Sequence, residues 1–156
     1  MVFYTISTFR QSLAALTKKS KDGYMSVVSD ICNSLVNMPD NILRDTNDRI
    51  RQFAEFRVVK LRLPNYGQHL PKNNGFRLIY WVSMKNNIAV LLRVYPKRGP
   101  QSAVDLTEEE YDRLLLELMN ESKSGILHQV DVVSGFIELS QNGCLPGEKI
   151  IAIFAA

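Results

Sequence analysis

RVVKLRLPNYGQHLPKNNGFRLIYWVSMKNNIAVLLRVY, residues 57–95, is the stretch whose reading decides the fold. In RVVKLRL (57–63) the side chains alternate. Arg57, Val59, Leu61 and Leu63 point one way, and Val58, Lys60 and Arg62 the other, which is the period-two pattern of a strand. FRLIYWVS (76–83) and IAVLLRVY (88–95) predict two more strands, joined by a tight turn at Lys85-Asn86-Asn87 and ended by Pro96. Their long apolar runs place them at the sheet centre. Alternation sets Tyr80 on the face opposite Arg77, hence in the core. The loop 64–75, rich in Pro, Asn and Gly, is expected to be exposed, with a mobile tip.

Upstream, VFYTI (2–6) is β-prone. A helix then starts at Ser7, with Phe9, Leu13 and Leu16 on one apolar face and Lys18 and Lys19 in its last turn, where cations suit the helix dipole. A second helix is expected from a cap at Asp22, with Tyr24, Val27, Val28, Ile31 and Leu35 as its stripe and Pro39 as its stop. Residues 40–55 read as a loop or short helix. Downstream, Thr107 and Glu110 have capping-box spacing, and Tyr111, Leu114, Leu115 and Leu118 form the buried face of a third helix. Residues 124–156 are left open, with β-prone pieces at Val130, Val132 and Val133 and at IIAIFAA, broken by Gly135, Gly143, Pro146 and Gly147. The expected fold is α+β: an N-terminal helical hairpin packed on a small, mainly antiparallel sheet, with a C-terminal helix and an extension. The helices cover one sheet face, and the other carries Lys60 and Arg62.

The net charge of +3 conceals a strong division. Residues 56–98 carry nine basic side chains and no acidic one: Arg57, Lys60, Arg62, Lys72, Arg77, Lys85, Arg93, Lys97 and Arg98. Residues 99–156 carry three basic and ten acidic side chains. Such a basic block is the electrostatic footprint of a polyanion ligand. The alternative is a basic sheet that neutralises the acidic C-terminal third.

Several classes are disfavoured. No run approaches 18 apolar residues, so no transmembrane helix is expected, and the N-terminus lacks the signal-peptide pattern, which makes the cytoplasm the expected location. Cys32 and Cys144 are read as free thiols. With His69 and His128 the only histidines, no metal site and no cofactor are expected.

The succession VKLRL (59–63), NNGFRLIYW (73–81), LLRVYPK (91–97) and DLTEEE (105–110) resembles the RelE/ParE toxin superfamily, nearest its RelE- and HigB-like branch. The resemblance runs from about residue 3 to residue 121 and rests on the order and spacing of these pieces together, so residues 1–123 are read as the toxin-like domain and 124–156 as an extension. It implies a compact sheet backed by two N-terminal helices. It also implies a cognate antitoxin partner and an endoribonuclease that cleaves messenger RNA on the ribosome through 2′-hydroxyl attack, without a metal.

Such cleavage needs a base for the hydroxyl, positive charge for the pentacoordinate phosphate and an acid for the leaving oxygen; general acid–base help contributes about 10²–10⁴-fold and one well-placed charge about 10²–10³-fold. Lys60 matches a family catalytic lysine and is the candidate base. Arg77, in the G-x-R segment, is expected to grip phosphate oxygens with its guanidinium. Lys97 and Arg98 stand at the family's basic position after the third core strand, as acid or phosphate clamp. Arg62 would position the RNA backbone. Tyr95 is a candidate for stacking on a base, and His69, in the loop between two basic strands, is a candidate RNA contact.

The chain also departs from the family pattern. GPQSAVDL (99–106) lacks the tyrosine that some RelE toxins carry there, Val58 replaces a second lysine, and Gly99-Pro100-Gln101-Ser102 lengthens the loop before the helix. Two other readings therefore stand: a ParE-type toxin that poisons DNA gyrase without hydrolysis, and a non-catalytic nucleic-acid-binding regulatory domain.

Overall fold

The computed structural model describes residues 1–40, 49–100, 102–103, 105–139 and 146–155. In chain order the elements are β1 (Val2–Thr5), α1 (Ser7–Lys18), α2 (Val27–Leu35), β2 (Arg49–Gln52), β3 (Arg57–Leu63), β4 (Phe76–Ser83), β5 (Ile88–Pro96), α3 (Glu108–Ser124), β6 (His128–Asp131), β7 (Ile137–Leu139) and α4 (Pro146–Ala155). The class is α+β. The strands form one sheet in the order β2-β3-β4-β5-β1-β6-β7, parallel only between β1 and β5.

The meander β3-β4-β5 forms as its sequence predicts, and the two strands with long apolar runs lie inside the sheet. All eight residues of β4 are buried, so both of its faces must be covered. On one face the Tyr24 ring lies 6.2 Å from Phe76, where the chain passes from α1 to α2. On the other, Trp81 meets Phe56 at 5.4 Å and Phe154 of α4 at 5.8 Å. The Lys60 face is therefore partly roofed by the C-terminal elements, where the alternation pattern had left it open.

The second helix begins at Val27, with a 3₁₀ turn at Ser20–Asp22 before it, so Asp22 does not cap it. Four further elements were not legible in the sequence. β2, RIRQ, is a polar edge strand without apolar alternation, as edges often are. β6 and β7 are too short to show a period. The β-prone tail IIAIFA is helical: Pro146 occupies the first position, which suits its fixed φ, and Ile150 and Ile153 are buried. Packing overrides the weak propensity of β-branched residues. Residues 124–139 and 146–155 are thus built into the same sheet and core as the rest, because β6 pairs with β1 and α4 packs on α3.

The loop 64–75 is fastened at both ends. Asn65, 4% exposed, donates to the Gly23 carbonyl at 2.8 Å, and the Tyr66 and Gly67 amides donate to Asp30 Oδ2 and Ser26 Oγ. At the other end a Cβ on Gly75 would collide with the Leu63 carbonyl, so glycine is required there by close approach. Between these ends the loop is exposed, with Tyr66, Gln68, His69, Pro71, Lys72 and Asn73 at the surface.

The capping box of α3 forms as the sequence predicts: Thr107 and Glu110 exchange backbone-to-side-chain bonds of 3.2 Å. Near its far end α3 caps another helix. Glu121, 5% exposed, accepts the Ser7 amide at 3.1 Å on each of its oxygens, and Glu117 accepts the Thr8 amide at 3.2 Å. Anions at a helix N-terminus satisfy its open donors and its dipole. Glu121→Ala is expected to cost about 1–3 kcal/mol, because it strips buried donors of their acceptor. The check is urea unfolding, with a lower midpoint at unchanged slope; the half-buried Glu117→Ala should cost less.

Candidate nucleic-acid interface

β3 and β4 run in a register that sets Arg62 opposite Arg77 and Lys60 opposite Ile79. Across the next ladder Arg77 faces Tyr95, and Ile79 faces Arg93. Cross-strand partners share a face, so Lys60, Arg62, Arg77, Arg93 and Tyr95 stand on one side of the sheet. A bulge brings the last pair there. The ladder shifts between Ile79 and Tyr80, so that Leu92 is an extra residue between Leu91, which faces Tyr80, and Arg93. Unbroken alternation along 88–95 would have turned Arg93 and Tyr95 away from Arg77; one inserted residue exchanges the faces.

Arg62, Lys97 and Arg98 are exposed, whereas Lys60 and Arg93 are half-buried. Lys60 Nζ donates to Asp105 Oδ1 at 3.1 Å, just before α3. Asp105 is held below the ordinary aspartate range by that hydrogen bond first, then by the charge of Lys60, and further by Lys97 and Arg77. One carboxylate thus feels three of the sequence-predicted cations. At the neighbouring edge, Arg51 bridges Glu108 at 2.8 Å and Asp112 at 2.6 Å, so part of the basic sheet does neutralise the acidic C-terminal third.

Arg77 stands on the expected face, but its fork is directed inward. At 6% exposure its Nη1 donates to the carbonyls of Lys72 (2.8 Å) and Phe76 (3.1 Å), and its Nη2 to that of Asn73 (2.9 Å). A buried guanidinium needs such acceptors. Here they fasten the loop, so the bidentate phosphate grip expected of Arg77 is not how its donors are arranged. Its charge still reaches Asp105.

Tyr95 is buried rather than displayed for stacking, with its ring centroid 5.7 Å from the Arg93 guanidinium. Its hydroxyl has no hydrogen-bond partner among the described residues. Burial first, and then the charge of Asp105, push its pKa up to about 12, so it remains a proton donor at neutral pH. Arg98 donates to the Asn74 side chain at 3.0 Å, and Tyr24 donates to the Arg98 carbonyl at 3.2 Å. His69 is exposed in the loop between β3 and β4. It stands at φ +55° on the loop surface, lining a shallow cleft with Tyr66 and Lys72. Tyr80 is fully buried, in keeping with the alternation pattern.

Among the described residues, no three of His, Cys, Asp and Glu gather where they could hold a metal ion. Cys32 is buried, with its thiol pushed up to about 11 by burial and then by Asp131, and Cys144 lies outside the described residues. No described helix is long and apolar enough to cross a membrane. Asp105 and Arg93 are members of this group that the sequence reading did not assign to the site. Asp105 was within reach of it, as the first acid after the cationic block.

Comparison with protein-family models, with curated proteins and with solved structures returns no match.

Asp105 reports on the cluster. Its depressed carboxyl stabilises the fold above the unfolded-state pKa, and that contribution is lost as pH falls through the lower folded value. In a carboxyl NMR titration Asp105 should titrate below the ordinary aspartate range. Lys60→Met should move the midpoint upward most, and Lys97→Met less. Equal, negligible shifts would show that the cations do not converge there.

Proposed function

We propose that the chain is a toxin of the RelE/ParE kind, acting in the cytoplasm as a metal-independent endoribonuclease on ribosome-bound messenger RNA and held silent by a cognate antitoxin. The observation that carries this reading is the gathering of Lys60, Arg62, Arg77, Arg93 and Lys97 about one end of a sheet face, in a segment with no acidic residue of its own. The order of strand, two helices and three-stranded meander, with the basic strands inside it, supports the motif resemblance.

In this reading the exposed Arg62 and Lys97 take the RNA backbone, since phosphate contacts fix position and register. Arg77 supplies fixed positive charge from behind while it holds the loop, which is the preorganised form of transition-state stabilisation. Lys60 is the proton acceptor for the 2′-hydroxyl: once substrate has replaced Asp105 beside it, its ammonium gives a proton to solvent, and the neutral amine then takes the hydroxyl proton. Lys97 or Arg98 serves as acid or clamp at the leaving oxygen. The antitoxin would cover the same face with complementary negative charge.

A second reading has an observation of its own. Lys60 is paired, Arg77 is bound to carbonyls, and no tyrosine follows Arg98 in the loop. That set suits a domain that binds nucleic acid without cutting it. The gyrase-poisoning reading has no comparable support.

Induced expression with translation, transcript-end mapping and plasmid supercoiling read together separates the three. The proposal expects translation to stop with messenger cut at discrete positions, and Lys60→Ala to lower cleavage about 10²-fold or more while the fold is kept. Arrest with intact messenger and altered supercoiling would overturn it in favour of a gyrase poison. RNA binding with no cleavage at all would leave the non-catalytic domain.

A further inference from the structure

We infer that Asp105 is an internal stand-in for a phosphate group: its carboxylate occupies the place on the basic face where a phosphodiester oxygen binds, and RNA must displace it. The inference deepens the proposed function and rests on that reading for the identity of the ligand.

The contact itself comes first. Asp105 Oδ1 lies 3.1 Å from Lys60 Nζ, in the geometry of a charge-assisted hydrogen bond. The carboxylate comes from a different part of the chain, 45 residues on, and stands among three cations of the basic block. Carboxylate and phosphodiester differ in shape, planar against tetrahedral, but each spreads one negative charge over two oxygens, so a phosphodiester oxygen can take the same place beside Lys60 within the field of Lys97 and Arg77.

A second, independent observation points to a ligand. The Tyr95 hydroxyl, on this face and directly across the ladder from Arg77, is buried without a hydrogen-bond partner among the described residues. A buried hydroxyl left unsatisfied destabilises the fold. Packing would be served as well by phenylalanine. An oxyanion that moved Asp105 aside would give this hydroxyl an acceptor.

Magnitudes favour exchange. The Asp105 side chain is 66% exposed and that of Lys60 17%, so the pair belongs to the weak, solvent-screened class worth about 0.2–1 kcal/mol. A contact that weak yields to a phosphate group, and more readily to a phosphate backbone that also engages Arg62 and Lys97. The two Arg51 bridges to Glu108 and Asp112 hold the start of α3 over the sheet, so the exchange needs the Asp105 side chain to shift, not the helix.

The test uses the full chain with two probes, inorganic phosphate and a single-stranded 2′-O-methyl RNA that cannot be cut. Asp105→Asn is expected to bind both roughly two- to fivefold tighter than wild type, the factor one exposed ion pair represents. Tyr95→Phe should bind both more weakly while melting no lower. In wild type, saturating phosphate should raise the Asp105 carboxyl midpoint, because Lys60 has left it. Unchanged or weaker binding by Asp105→Asn would overturn the inference, as would no binding of phosphate by either protein. Should Asp105→Asn not fold, a carboxyl midpoint unmoved by phosphate in wild type overturns it and a raised one supports it. Tighter phosphate binding without messenger cleavage would sink the nuclease reading alone; cleavage with no Asp105 effect would sink this inference alone.

Discussion

Strand β4 is buried over its whole length, and the other elements are placed by the need to cover it. Phe76, Leu78, Tyr80 and Val82 face one way and Ile79 and Trp81 the other, each at 1% exposure or less. Burying large apolar side chains contributes about 1.5–3 kcal/mol apiece, so neither face can be left to water. The stretch from α1 to α2 closes the first face, and α3 and α4 close much of the second. Arg77 is the one charged residue of the strand. Because a cation in that position needs acceptors, it draws the carbonyls of residues 72, 73 and 76 around it, and the loop between β3 and β4 is shaped by that demand. What remains of the second face, at the end away from Trp81, is where the basic side chains collect.

Electrostatics follow from this layering. The chain separates its charges along the sequence, with a cationic centre and an acidic end, and folding brings the two together at the start of α3. One ion pair at the margin of the basic face joins the two, Lys60 with Asp105, and Arg51 of the edge strand, outside the cationic centre, adds two more to Glu108 and Asp112. They leave Arg62 and Lys97 at the surface, so the face is trimmed in charge without being neutralised. A surface of that kind attracts a polyanion strongly at low salt and releases it as salt rises.

Much of the fold could be read from residues 57–95, because period-two alternation and turn residues are strong local signals. The helices showed through Phe9, Leu13 and Leu16, through Val27, Ile31 and Leu35, and through the Thr107–Glu110 box. The edge strand Arg49–Gln52 has no apolar face to announce it, and the tail from Pro146 carries a strand-like composition that packing turns into a helix. At the site, Lys60, Arg62 and Arg77 were placed on one face by spacing alone. Arg93 and Tyr95 join them only through the bulge at Leu92, which no local pattern announces. Nor could spacing reveal that the Arg77 fork would be turned onto the loop, or that Asp105 would reach Lys60, since both depend on where distant segments pack. His69 was chosen for its place in the exposed loop between two basic strands, and the fold holds it at that loop surface.

The central claim is that this end of the sheet is a phosphodiester-binding surface, and the salt dependence of its affinity for single-stranded RNA tests that most directly. With three to four phosphates engaged, the logarithm of the association constant should fall against the logarithm of salt with a slope of about −2 to −3. Replacing Arg62 by a neutral side chain should make that slope shallower by about one contact. A slope near zero, or one that is indifferent to Arg62 and Lys97, would contradict the account.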